Sequence, residues 1–301
     1  MPAPTNGTLD PASRRRRTRS FVIAVVVASV LAAVYAFAAI SYGASLKEPV
    51  PKTDAPTGGV AVTFVPQLVL DTSQELSGYL LLFPASDLLT SDGALRADIT
   101  VTVDPAVGGG RLTFRKGQVP AAQGLLVPTP GVVEQYPFDS YQLDAHVTAV
   151  VLDPGGAQRP LAVSTSTLFR IPGWRQSSSA VVDTATTAPM TATVQRSGST
   201  KAIAVMLLVV MVALATIAAL VAHATIRGHI MEMSVAAWIT AMLFALIPIR
   251  GFLPGAPPIG SWIDILVFFW VELALMLSVG AVATAMLVRA RRTTDSQVPA
   301  S

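Results

Sequence analysis

Asp144 and His146 are two residues apart, so on a strand both side chains fall on one side. An aspartate beside a histidine can orient the imidazole for acid–base work, or supply two ligands to a metal. A metal site needs more ligands than two, and His146 is the only histidine between residues 43 and 200. No Gly-x-Ser-x-Gly nucleophile turn accompanies it. The pair therefore reads as a solvated polar face. Asp264 and Glu272 pose a different question, because both lie in an apolar stretch. Asp264 sits near its outer boundary, where a charge costs little. Glu272 is roughly 12 Å deeper at ~1.5 Å per residue. An acid at that depth is expensive and points to function by default. Its expected partner is Arg250, across a short loop. The plainer reading is a buried pair, or a protonated acid that fixes helix register.

Tyr136, Pro137, Phe138, Asp139, Ser140 and Tyr141 form an aromatic box just before the best strand pattern in the chain. Pro137 fixes a tight approach and pushes Tyr136 into an extended conformation. Asp139 can cap a turn by accepting from backbone amides. As pure structure, the box is a rigid corner at a strand end, expected to rest on the loop 250–260 with Phe138 buried. In the strand that follows, Tyr141, Leu143, Ala145, Val147, Ala149 and Val151 share one face. Gln142, Asp144, His146 and Thr148 share the other.

These groups are positioned by two kinds of element. Four apolar stretches, 21–40, 202–222, 235–249 and 263–288, are each near the ~20 residues that cross a bilayer, although the third is short. Only 13% of residues are charged, against the ~25% of an average soluble domain, which agrees with a membrane protein. Nine of the seventeen arginines flank the stretches: Arg14–17 and Arg19, Arg227, and Arg289, Arg291 and Arg292. Placing all of them in the cytoplasm satisfies the positive-inside rule, with both termini inside. The first stretch is too long for the apolar part of a signal peptide, so it is expected to be a retained anchor. The expected segments are a disordered basic tail over 1–19, spans over 20–42, 201–222, 232–249 and 263–288, cytoplasmic segments over 223–231 and 289–301, and an exoplasmic Pro/Gly loop over 250–262. Residues 43–200 are the exoplasmic domain. Residues 198–200 read as a flexible connection into the second span.

That domain reads as β throughout. Candidate strands are 60–70, 76–83, 99–103, 112–115, 141–152, 161–169, 180–183 and 191–195, separated by Gly, Pro and Asp turn signals. The spacing argues for an antiparallel β-sandwich-like fold, so the fold class is an α+β membrane protein. The domain holds ten Lys/Arg against thirteen Asp/Glu and has no basic stripe with interleaved aromatics, so nucleic acid is not an expected partner. Without a cysteine anywhere, thiolate zinc sites, cysteine nucleophiles and disulfides are excluded. In the first span Ala24, Ala28, Ala32 and Ala36 recur every fourth residue. Such a stripe lets another helix approach closely and predicts a partner protein or a second copy there, beside membrane lipids. Ala215/Ala219 and Ala218/Ala222 repeat the pattern in the second span.

The box, the N-terminal anchor, the β-rich domain and the three later spans together resemble the domain-of-unknown-function family numbered 4436, a family of integral membrane proteins. The loop 250–260, followed by Trp262, Asp264 and the run Phe268-Phe269-Trp270, is a second shared element. The resemblance implies an architecture and no activity. The box is also similar to the Phe-Pro-Phe-Asp of pentameric ligand-gated channels, which sits in an outer β-sandwich against a membrane loop. This chain departs from them in its span before the sandwich, its three spans after it, and its lack of loop cysteines.

No nucleophile, metal set or phosphate loop is present, so an enzyme is not expected, nor any cofactor. The expected role is a non-enzymatic scaffold or accessory subunit. The alternative is a transporter or channel-like receptor, in which the β-domain senses a ligand and Glu272 couples to ion or proton movement.

Overall fold

The computed structural model describes residues 29, 32, 33, 35–37, 39, 40, 54–70, 72–153, 155–177, 186–228 and 234–295. The candidate strand 180–183 and the residues Ala24 and Ala28 lie outside these, as does the basic tail 1–19. Ala32 and Ala36 are helical and exposed.

Among the described residues ten strands build the β-domain: β1 (Val60–Leu70), β2 (Glu75–Pro84), β3 (Asp98–Asp104), β4 (Arg111–Phe114), β5 (Gln123–Pro128), β6 (Ser140–Leu152), β7 (Gln158–Leu161), β8 (Val163–Thr167), β9 (Trp174–Ser177) and β10 (Thr187–Arg196). They form two sheets, ordered β5-β2-β1-β8 and β4-β3-β6-β10-β9, with β7 also on β6. The apolar faces of both sheets meet in one core that includes Phe64, Leu80, Ile99, Leu143 and Met190. The alternation along β6 is realised: residues 141, 143, 145, 147, 149 and 151 are all buried, while Asp144 and His146 are exposed. β6 can hold three neighbours because they share its length. β3 runs along one edge, β10 pairs with Ser140–Thr148 on the other, and β7 takes over at Ala149–Leu152.

Three expectations need correction. The stretch 161–169 is not one strand: it breaks at Ala162, so that β7 serves one sheet and β8 the other. β8 pairs with β1 in parallel, so the sandwich is not wholly antiparallel. Strands β5 and β9 were not expected at all. Both are edge strands: β5 carries a continuous Leu125-Leu126-Val127 run rather than an alternation, and β9 has only four residues.

Three helices among the described residues are long and apolar enough to cross a membrane: α1 (Gly198–Ile226), α2 (Ser234–Gly251), and a π-helical turn (Asp264–Phe268) continuing into α3 (Phe269–Asp295). They mark the chain as a membrane protein. Gly198–Thr200 are the first turn of α1 rather than a flexible connection. Ser197 caps that turn, its hydroxyl accepting from the Thr200 amide at 3.2 Å. The helix thus starts two residues after β10 ends. On α1, Ala215, Ala218 and Ala222 are buried against Leu275 and Val282 of α3, whereas Ala219 is exposed. The small-residue stripe of α1 therefore serves packing within the bundle. At the far end of the bundle Arg289 donates to the Thr225 and Ile226 carbonyls, at 2.9 and 3.2 Å. It adds a side-chain donor to carbonyls at the C-terminal end of α1, where helical amide donors run out.

Candidate functional site

The aromatic box and the loop after α2 meet at the end of the sandwich where the helices begin. The Tyr136 hydroxyl donates to the Pro254 carbonyl at 2.8 Å. Tyr136 packs with Ala204 of α1, Leu253 of the loop and Ile263 before α3, and is only 1% exposed. One aromatic thus touches sandwich, loop and bundle. Burial pushes its phenol up to about 12; the nearby Arg196 pulls down and the Asp139 carboxylate pushes up. The hydroxyl therefore stays protonated at neutral pH and keeps donating.

Beside it lies a buried charge pair that sequence reasoning missed. Arg196, the last residue of β10, donates through Nε to both Asp139 oxygens, at 2.9 and 3.1 Å. Asp139 is 0% exposed. The hydroxyl of Tyr141 also donates to Asp139, at 3.0 Å. Nη1 of Arg196 reaches the same Pro254 carbonyl at 3.3 Å. The guanidinium is stacked between two rings, 4.6 Å from the centre of Tyr136 and 4.4 Å from that of Trp174. Trp174 in turn meets Tyr141 edge to face at 5.6 Å. Gly255 closes over this stack in the left-handed region (φ +79°), and a Cβ there would lie 2.0 Å from Nη1 of Arg196. Only glycine lets the loop come so close. The local signal for Arg196 was slight, since it is one of ten basic residues spread over the domain. Its distinction is position, at a strand end that abuts a helix cap.

Phe138 does not share in this packing. It is 64% exposed, against the expectation of a buried aromatic. The turn that buries Tyr136, Pro137 and Asp139 points Phe138 away. Pro137 follows a cis peptide bond within that turn.

A second ion pair closes the helix ends. Arg250 grips Asp264 with both arms of its fork, Nε to Oδ1 at 2.9 Å and Nη2 to Oδ2 at 2.8 Å. Nη2 also reaches the Pro257 and Pro258 carbonyls, and the Gly260 amide donates to Asp264 at 2.9 Å. Asp264 is buried and paired, rather than sitting at a solvated boundary. The expected contact between Arg250 and Glu272 is not made. Glu272 is half-buried on α3 and has no hydrogen-bond or ion-pair partner among the described residues.

The Asp144 and His146 pair lies elsewhere, on the open face of β6. Register sets Asp104 opposite His146, yet no three His, Asp or Glu side chains group as a metal site among the described residues. Among the described residues of the junction, Asp139 and Asp264 are each paired with an arginine. Charge, rings and carbonyls hold the two parts together there.

No curated protein matches the chain. The family model "Domain of unknown function (DUF4436)" matches residues 49–195, and "Domain of unknown function (DUF8686)" matches residues 196–289. The loop 250–260, taken above as a shared element of the first family, therefore falls under the second. The border between them coincides with Arg196, the residue that joins them. The β-domain of this chain thus carries the DUF4436 match, and the three helices with their loop carry the DUF8686 match.

Proposed function

We propose that the chain is a non-enzymatic scaffold or accessory subunit of the cell membrane. The sandwich stands on the exoplasmic side and both termini lie in the cytoplasm. The Arg196–Asp139 pair under Pro254 carries the reading. A receptor that works a gate needs a joint with two arrangements. Here the joint is filled by a buried charge pair, stacked rings and a close glycine contact, which suits a fixed platform. The orientation rests on Arg227 and Arg289, both at the end of the bundle opposite the sandwich; cytoplasmic ends carry such arginines.

Two measurements test this. The chain has no cysteine, so single cysteines can be placed at Asp153 and Asp295. In intact cells an impermeant maleimide should label position 153 and leave 295 untouched; the reverse pattern would invert the topology. Reconstituted into phosphatidylethanolamine/phosphatidylglycerol vesicles, the protein should leave proton and potassium leak at the level of empty vesicles.

Glu272, without a partner among the described residues, favours a second reading, a transporter or channel-like receptor. The Gln variant separates the two. As a scaffold, Glu272→Gln should keep full expression and cause no measurable change in ion movement. A flux above empty vesicles that vanishes in Glu272→Gln would favour the transporter and end the scaffold reading.

A further inference from the structure

We propose that the base of the sandwich is a lipid-contact surface: Phe138 enters the interfacial layer of the bilayer, and Lys201 beside it takes a lipid phosphate. The inference rests on the membrane reading of α1–α3 but not on the scaffold role.

Depth comes first. The box is fixed to the loop after α2 through Tyr136 and Pro254, and to the end of β10 through Asp139 and Arg196. All three helices begin or end at this level, marked by Ser197, Gly251 and Asp264. Phe138 therefore stands at the height where hydrocarbon gives way to headgroups. Its 64% exposure is directed by the turn, because Tyr136 and Asp139 on either side are buried. The Phe138 amide donates to the Gln135 carbonyl at 2.8 Å, holding the turn in that shape.

Other residues continue the surface at the same level. Phe252 is 75% and Ile259 88% exposed on the loop, and the ring of Trp262 is half exposed before the π-helical turn. Large apolar side chains at loop tips gain nothing in water. At the end of a membrane bundle they join the apolar belt of the helices, and tryptophan in particular collects at this boundary. Lys201 supplies the complementary charge. It lies in the first turn of α1, with its ammonium 5.8 Å from the Phe138 ring centre. Its stem can follow the apolar surface while the ammonium reaches the phosphates.

The test uses the full-length protein in nanodiscs of phosphatidylethanolamine and phosphatidylglycerol. Nitroxide labels are attached singly at Phe138→Cys, Ile259→Cys, Leu220→Cys and Tyr79→Cys. Collision with oxygen reports lipid, and collision with a nickel chelate reports water. Labels at 138 and 259 should favour oxygen severalfold over the label at Tyr79, an exposed residue of β2. Lys201→Glu should shift the 138 label toward nickel. Labels at 138 and 259 that favour nickel as Tyr79→Cys does, while Leu220→Cys on the exposed face of α1 favours oxygen, would overturn the inference and leave the membrane reading intact. A Leu220 label that favours nickel would overturn both. Labels at 138 and 259 shielded from both reagents would mean protein covers the base, and that too would overturn it.

Discussion

Arg196→Ala should destabilise the junction by about 3–5 kcal/mol, the usual cost of removing one partner of a buried charge pair. The variant leaves the Asp139 carboxylate uncompensated at zero exposure, still beside the buried Tyr141 hydroxyl. It also empties the space between the rings of Tyr136 and Trp174. Urea unfolding in nanodiscs, followed by near-ultraviolet circular dichroism, would read the loss as a lower midpoint. Arg196→Lys should recover little, since an ammonium cannot span the carboxylate and the Pro254 carbonyl as a planar fork does. The double variant Arg196→Met, Asp139→Leu should be far milder than either single truncation, because it removes both desolvation costs together. A loss below about 1 kcal/mol for Arg196→Ala would mean that Asp139 finds water or another cation, and the junction would not be the fixed joint described above.

Tyr136→Ala and Phe138→Ala should differ sharply, although the two residues are neighbours in one motif. Tyr136 is buried among Ala204, Leu253 and Ile263, so its truncation leaves a cavity at the meeting of sandwich, loop and bundle. About 3–5 kcal/mol is expected. Phe138 is exposed, and its loss should change stability by less than about 0.5 kcal/mol. Pulse proteolysis of the folded protein separates the two outcomes. Equal losses would place Phe138 in the packed core of the junction, contrary to its exposure. Tyr136→Phe lies between them, at about 1 kcal/mol, because Nη1 of Arg196 still serves the Pro254 carbonyl.

The sequence made some of this legible and hid the rest for identifiable reasons. The β6 alternation was visible because one face of that strand is core along its whole length. The bundle helices were visible because hydrocarbon demands continuous apolar runs. The box was visible as a local oddity, three aromatics around a proline and an aspartate. Its partners were not, since Tyr136 and Pro254 are 118 residues apart and Asp139 and Arg196 are 57 apart. Which aromatic of the box faces inward depends on a turn of a few residues, and spacing alone does not decide it. Arg250 was read as the partner of the deeper acid, yet the π-helical turn brings the nearer one, Asp264, into its grip. The parallel pairing of β8 with β1 joins strands about a hundred residues apart in the chain, which no local pattern records.

The same chain separation has a consequence in time. Arg196 and Pro254 are 58 residues apart, with two membrane helices between them. A ribosome adding roughly 5–20 residues per second leaves about 3–12 s between the two. By then every strand of the sandwich has been made, and Asp139 can already hold Arg196. What is missing is the floor: the loop over Tyr136, and Gly255 against the guanidinium. A molecule that has inserted α1 but not yet returned through α2 therefore carries a finished β-domain with an open base. Half-inserted chains differ from complete ones at that one face.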